Sequence, residues 1–585
     1  MNQEQRKIYL GINAEPVDPS AALVENGKVL AFAEEERFIR NKHAVGVYPL
    51  KAIEYCLKAA QISLSDVEAV VVAWDVEAYT DGSLRIFFDS LEKTWPVDKH
   101  TKSWQNYMIS THNLEGIKNV HYKKNWHRYF GDIKQPPVKS VPHHFTHAFQ
   151  AYMQSGFDKA ICLSIDGSGD KHCTVVWRCE DGKLEPLREI LMPHSLGWLY
   201  SAITEFLGFQ SKDGEYKVMG LAAYGEPDQE IFAKLEKIIE LSGDGIAYQL
   251  DPSYIHYGSH SYSGRFTNKL VKLLGQKPRS PHEEITAWHR NLAYAMQKKL
   301  EEHVSRLVSW AISETGIHNV CVGGGVAQNI KMNSMIFNLP EVKGFFAHPL
   351  SSDLGTSAGA ALALCMRETG SAPEKLETVA LGPEYSDEEI EATLNTSSIP
   401  YKRYDDITAP VVEELVKGRV VGWFQGRMEA GARALGQRSI LADPRDVKSR
   451  DRVNGVVKFR EYWRPFCPSL TWESMPRYFD KYTEAPFMNI AFLANEKLKT
   501  DALAIVHIDG TARVQTVRLE QNPLYYRLLK AFESKTGVPV LLNTSFNVKG
   551  EPIVCSIQDA LRTFWATGLD CLAIGNYFIN KHAIQ

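Results

Sequence analysis

The sequence predicts an α/β protein whose first domain is an internal duplication and whose second domain is a separate α/β unit. Three observations carry this. Residues 8–36, IYLGINAEPVDPSAALVENGKVLAFAEEE, read as a strand, a polar loop with Asp18 and Ser20, a second strand, a turn at Asn26-Gly27 and a third strand. An Asn-Gly pair between apolar runs is a strong hairpin signal. Residues 160–188, AICLSIDGSGDKHCTVVWRCEDGKLEPLR, repeat the plan with DGSGD as the loop and Asp181-Gly182 as the turn. Finally, 367–400 is polar, carries Pro or Gly at 373, 382, 383 and 400, and reads as a linker with one surface helix. The domains expected are therefore 1–372 and 373–585.

Two facing strand–loop–hairpin units resemble the actin, sugar kinase and chaperone ATPase fold, whose paired loops flank a nucleotide cleft. A glycine cluster, VCVGGGVAQN at 320–329, follows the long helical pattern 283–315. Glycine lets backbone N–H groups approach phosphate or ribose closely. Gly167, Ser168, Gly169, Gly323, Gly324, Gly325 and Asn329 are thus candidate nucleotide contacts, although a tight strand-to-helix turn needs the same glycines. HPLSSDLGTSAGAALALCM at 348–366 places Asp353 at the entrance to a small-residue helix. Beyond the linker, RVVGWFQGRMEAGARALGQRS opens a second alternation of strand and helix, which ends after VPVLLNTSFNVKGEPIV in a final helix–strand pair.

Composition excludes several classes. A formal charge of −4 over 585 residues gives no support to a surface that grips long nucleic acid through many phosphates. Nine scattered cysteines with no C-x-x-C pair read as reduced thiols. No apolar run approaches the roughly 20 residues of a membrane helix, and the N-terminus has no signal-peptide pattern. The expectation is a cytoplasmic protein with neither nucleic-acid nor membrane partner, and a homodimer by default.

His143 and His147 stand one turn apart in a helix that Pro142 opens and Gly156 ends, so both rings share a face. Spacing alone leaves them open between a metal clamp and a hydrogen-bonded core edge. Asp166, at the end of the strand LSID, and Asp353 would complete a mixed N/O set suited to Fe(II), Mn(II) or Zn(II). Such a site polarises a bound oxygen.

Between Arg427 and Arg464 stand ten Lys/Arg against five acids. Arg445, Lys448, Arg450 and Arg452 alternate with acids and read as solvated helix. Arg427, Arg433 and Arg438 are interleaved with glycine and alanine, where guanidinium forks bind phosphate bidentately. Arg464 lies between aromatics and proline, and Arg513 in a strand pattern. Asn543 and Ser545 follow a buried-looking run, where they serve either a ligand or a turn.

HHFTHAFQAY, IDGSGD, EYKVMGLAAYG, GGGVAQN and SSDLG together resemble the carbamoyltransferase family that includes the nodulation, cephalosporin and tobramycin carbamoyltransferases. The resemblance runs from EEERFIRNKH to the end through GWFQGRMEAGARALGQRSI, YWRPFCPS and LNTSFNVKGEPIV. It implies an iron site on His143, His147, Asp166 and Asp353, with His144 a surface or hydrogen-bonding residue outside it. It also implies a YrdC-like second domain in which Arg427, Arg433, Arg438, Lys458, Arg464, Arg513, Asn543 and Ser545 handle carbamoyl phosphate and ATP, the latter with Mg(II). That domain would make carbamoyladenylate, and a shielded channel would carry it to the metal domain. There the carbamoyl group passes to a hydroxyl of a small natural product or sugar. Lys42, His43 and Asp18 fall in motifs near the transfer site. The chain departs from the family at Val17, where many members carry a histidine before the loop aspartate, which puts the usual base in doubt. The acceptor pocket is expected on 75–135 and 226–280. Competing readings are a tRNA threonylcarbamoyladenosine-type enzyme and a non-catalytic nucleotide-binding regulator.

Overall fold

The computed structural model describes residues 7–14, 17–258, 264–461 and 463–583. Tyr462 of YWRPFCPS, and 259–263 of the expected acceptor loops, lie outside them. The chain forms two compact units, Met1–Leu30 with Gly46–Lys375 and Ala31–Val45 with Leu376–Gln585. By contact, residues 31–45, which the sequence reading includes in 1–372, cluster with the second unit. Phe32 N–H donates to Leu381 O at 3.2 Å, Arg37 Nη2 to Gly431 O at 2.6 Å and Arg40 Nη1 to Ile553 O at 2.7 Å.

Two five-stranded sheets share one plan. Across one sheet run Lys28–Glu34, Ser20–Glu25, Ile8–Asn13, Ala69–Val72 and Val138–Ser140. Across the other run Lys183–Leu191, His172–Glu180, Lys159–Gly169, Asn319–Gly323 and Gly344–Ala347. In each, the central strand pairs antiparallel with its hairpin neighbour and parallel with the strand on its other side. Both expected turns form with two left-handed residues, Asn26 and Gly27 at φ 51° and 77° and Asp181 and Gly182 at 52° and 74°. That is the mirror type-I geometry that suits twisted strands. The repeated strand order is the duplicated actin-like plan.

Two helices, His143–Met153 and Thr356–Thr369, pack against these sheets. Ala360, Ala361 and Leu364 of the second share a core with Tyr9, Val24 and Val71 of the first sheet. On the first helix, Ala148, Ala151 and Tyr152 meet Cys162, Val175 and Cys321 of the second sheet, while Phe149 joins the first core. Burying a ring such as Phe149 contributes roughly 2 kcal/mol. Small residues permit this close approach. A Cβ on Gly11 would lie 1.7 Å from the carbonyl oxygen of Ser357, backbone that cannot swing aside. Gly11→Ala is therefore expected to destabilise the protein by about 3 kcal/mol, read as a lower urea midpoint at unchanged slope.

The second unit is built on one mixed eight-stranded sheet whose middle strands include Cys571–Ile574, Val421–Phe424, Arg438–Ala442, Val540–Ser545 and Cys467–Thr471. Val421 and Trp423 alternate onto one face, where Val411, Tyr525 and Phe532 of helices Thr408–Val416 and Pro523–Thr536 cover them. All nine cysteines are buried and unbridged. Among the described residues no helix is long and apolar enough to cross a membrane.

Candidate functional site

His143 and His147 project from one helix, Asp166 from the strand Lys159–Gly169, and Asp353 from the single turn Asp353–Gly355 that leads into the small-residue helix. These four residues converge. One donor atom from each lies within 4.8 Å of the other three. The two Nε2 atoms are 3.0 Å apart, His147 Nε2 is 3.2 Å from Asp166 Oδ2, and His143 Nε2 is 3.5 Å from Asp353 Oδ1. Both imidazoles are buried, whereas the Asp353 side chain is 29% exposed, so the cluster meets solvent on the Asp353 side.

Local structure prepares these groups for a metal. The carbonyl oxygen of Ala73 can only accept, so His143 Nδ1, 3.3 Å away, carries a proton, and Nε2 is the nitrogen turned toward the other three donors. Asp166 Oδ1 accepts from Gly167 N–H at 2.6 Å and Oδ2 from Gly325 N–H at 2.9 Å. Burial opposes charge on His143, yet Asp166 and Asp353 outweigh it and push its pKa up to about 10. Burial would raise Asp166, but His143 and His147 hold it well below the usual carboxylate range. Two N with two O donors fit a divalent transition metal.

The expected nucleotide glycines sit against this cluster. A Cβ on Gly169 would lie 2.1 Å from the His143 ring, one on Gly323 2.8 Å from His147 O, and one on Gly325 3.2 Å from Asp166 Oδ1. Gly324 holds a φ of 87°, and a Cβ there would lie 2.2 Å from Ile165 O. Ser168 is buried beside them. Asn329 is committed to the protein: its Oδ1 caps the helix Ile330–Asn338 through Met332 N–H at 3.0 Å, and its Nδ2 donates to Gln297 Oε1 at 2.9 Å. His144 is not on the surface. It is buried, with Nδ1 3.0 Å from Ser164 Oγ and Nε2 3.1 Å from His172 O, and burial pushes its pKa well down.

Asp18 adopts a left-handed φ of 51°, and Asn13 Nδ2 donates to the carbonyls of Val17 at 3.0 Å and Asp18 at 2.9 Å. Ser20 Oγ donates to Leu354 O at 2.6 Å, tying this loop to the residue after Asp353. Val17 is buried. Lys42 and His43 belong to the second unit, in a short turn where His43 N–H donates to Glu36 Oε2 at 2.7 Å.

The second unit gathers much of the arginine-rich set. Lys458 is buried with Nζ on Ser545 Oγ at 3.1 Å and Asn547 Oδ1 at 2.7 Å, and burial, then Arg460 and Arg464, push its pKa well down. Arg464 Nη1 lies 3.6 Å from Glu461 Oε2. Arg513 falls between two short strands rather than within one, its Nε 2.7 Å from Cys467 Sγ. Arg433 is half-buried. Arg427 Nη2 donates to Leu381 O at 2.6 Å. Asn543 Nδ2 reaches Ser469 Oγ at 3.0 Å and Gln515 Oε1 at 3.1 Å. Arg438 is fully buried over the Phe424 ring, 3.7 Å from its centre, and donates to the carbonyls of Gln425 at 2.8 Å and Pro383 at 3.0 Å. Arg452, read as solvated, pairs with the buried Asp570 at 2.7 Å.

Residues 8–362 match the family described as Carbamoyltransferase N-terminus, and residues 412–581 that described as Carbamoyltransferase C-terminus. The chain belongs to the carbamoyltransferase family. Nodulation protein NolNO of Sinorhizobium fredii is 36% identical over 96% of this carbamoyltransferase and 79% of its own length. Nodulation protein NolO of Bradyrhizobium diazoefficiens is 36% identical over 75% of this chain and 78% of its own. An uncharacterized Synechocystis sp. protein is 36% identical over 98% of this chain and 97% of its own. Among solved structures, T. kodakarensis HypF overlaps at a TM-score of 0.31 and 14% identity, covering 63% of this carbamoyltransferase and 48% of HypF.

Two residues of the first unit escaped the sequence reading. Lys212 stands at a left-handed φ of 68°, and burial and Arg265 lower its pKa to about 8 against the pull of Asp353, Asp18 and Asp166. Asp170, the last residue of DGSGD, is buried at a φ of 54°. A non-glycine residue held left-handed is a mark of constraint, but φ is not written in a sequence.

Proposed function

We propose that this carbamoyltransferase is ATP-dependent and works in two stages. In the C-terminal, YrdC-like unit, water hydrolyses carbamoyl phosphate to carbamate and inorganic phosphate, and a carbamate oxygen attacks the α-phosphorus of MgATP, releasing pyrophosphate and forming carbamoyladenylate. In the N-terminal unit a hydroxyl of a small natural product or sugar attacks the carbamoyl carbon, and AMP leaves with the bond electrons while the hydroxyl proton is lost. Carbamate alone is a poor donor because its oxyanion leaves badly. Joining it to AMP removes that obstacle.

The observation that carries this reading is the convergence of His143, His147, Asp166 and Asp353 beside the glycine loops. When bound there, Fe(II), or Mn(II) or Zn(II), supplies Lewis-acid stabilisation of negative charge on oxygen. The chain's own part is to orient and exclude. Ala73 O holds the His143 ring through Nδ1, Gly167 and Gly325 N–H hold both Asp166 oxygens, and the buried imidazole side keeps bulk water from the cluster. In the second unit Arg427, Arg433, Arg464 and Arg513 form the positive set toward which the anions are drawn. Lys458 fixes the Ser545–Asn547 turn. Lys42, His43 and Asp18 are the proposed donor contacts.

The test follows pyrophosphate. ATP with carbamoyl phosphate is expected to release it, and addition of a hydroxyl acceptor with Fe(II) to give a product heavier by one carbamoyl group. Release driven by threonine and bicarbonate instead, or nucleotide binding with no turnover on any carbamoyl donor, overturns the reading.

A further inference from the structure

His143 is the first residue of its helix, and Pro142 before it has no side chain to cap the exposed N–H groups of the first turn. The acceptor comes from 27 residues away: Asp170 Oδ2 takes the His143 N–H at 3.0 Å. The other oxygen of the same carboxylate, Oδ1, takes the N–H of Asp75 at 3.0 Å. Asp75 and Ala73 flank Trp74, whose ring lies 5.1 Å from the His143 ring, and Ala73 supplies the carbonyl that His143 Nδ1 addresses at 3.3 Å. One buried carboxylate therefore pins two backbone segments, the one that carries the imidazole and the one that carries the carbonyl at its Nδ1. Hydrogen bonds to an ionised acceptor are about twice as strong as neutral ones, and a carboxylate at a helix N-terminus is favoured by the helix dipole.

We propose that Asp170 is a positioning residue for the metal cluster, acting through the backbone of His143 and of Ala73–Asp75 to aim His143 Nε2 at the other three donors. The inference rests on the metal reading of His143, His147, Asp166 and Asp353. Asparagine at 170 keeps one acceptor oxygen, tolerates the left-handed backbone, and turns an NH₂ toward the second N–H. The ring and its carbonyl are then no longer held together.

The experiment is an anaerobic Co(II) titration of the full chain, followed by visible absorption, with thermal melting in parallel. Asp170→Asn is expected to weaken Co(II) binding by about 10- to 100-fold, the usual cost of losing an outer partner of a ligand. Asp570→Asn is the control. Asp570 is likewise buried and accepts a backbone N–H, from Val420 at 2.7 Å, but lies in the second unit. That substitution should lower the melting temperature and leave Co(II) affinity unchanged. If the asparagine variant does not fold, Asp170→Gly takes its place, since glycine adopts φ 54° without strain, and the same loss is expected. Unchanged affinity in a folded Asp170 variant overturns the proposal and leaves the metal reading standing. Failure of the unsubstituted protein to bind Co(II) overturns both.

Discussion

Replacing Asp353 by asparagine is expected to lower carbamoyl transfer to the acceptor by about a thousandfold while pyrophosphate release without acceptor continues. Asp353 Oδ1 stands 3.5 and 3.9 Å from the two imidazole nitrogens and is, with Asp166, one of only two anionic donors in the cluster. Loss of its charge would weaken the hold on the proposed divalent ion, which would supply about 4 kcal/mol of stabilisation to developing charge, and about 1.4 kcal/mol is a factor of ten in rate. Adenylate formation is assigned to the other unit, so the two half-reactions should separate. The check is to measure pyrophosphate release and carbamoylated product side by side in the variant. Equal loss of both would place Asp353 in a role common to the two stages and contradict the division of labour.

The second large effect concerns stability. Arg438→Met should destabilise the protein by about 3 kcal/mol, because a buried guanidinium that satisfies several carbonyl oxygens is replaced by a group with no donor. Those acceptors are Gln425 O at 2.8 Å, Pro383 O at 3.0 Å and Gln437 O at 3.2 Å. The Phe424 face adds a cation–π contact. Burial lowers the Arg438 pKa to about 10, opposed by Glu429, so the group is charged at neutral pH. Urea unfolding checks the prediction. An unchanged midpoint with a raised KM for ATP or carbamoyl phosphate would instead make Arg438 a substrate contact.

Arg438 also marks where the sequence stops being legible. Between glycines and alanines a guanidinium reads as a phosphate fork, and nothing local tells that the carbonyls of Gln425 and Pro383 will join that of its neighbour Gln437 around it. That His143, His147, Asp166 and Asp353 come together was legible only in part from spacing, and the family resemblance supplied the rest. Two histidines one turn apart share a face, and two acids end a strand and open a helix. The duplication was legible because Asn26-Gly27 and Asp181-Gly182 each dictate a hairpin within a few residues. Asp170 was not, because a carboxylate that caps a helix from 27 positions downstream leaves no periodic trace. Nor was the grouping of 31–45 with the second unit, since neither composition nor turn chemistry changes at Ala31.

The most direct test is anomalous diffraction at the iron edge from crystals of anaerobically purified protein. The account predicts one strong peak in the first unit, bonded by Nε2 of His143 and His147 and by oxygens of Asp166 and Asp353. A bound metal at some other place, with that quartet closed on itself, would contradict it.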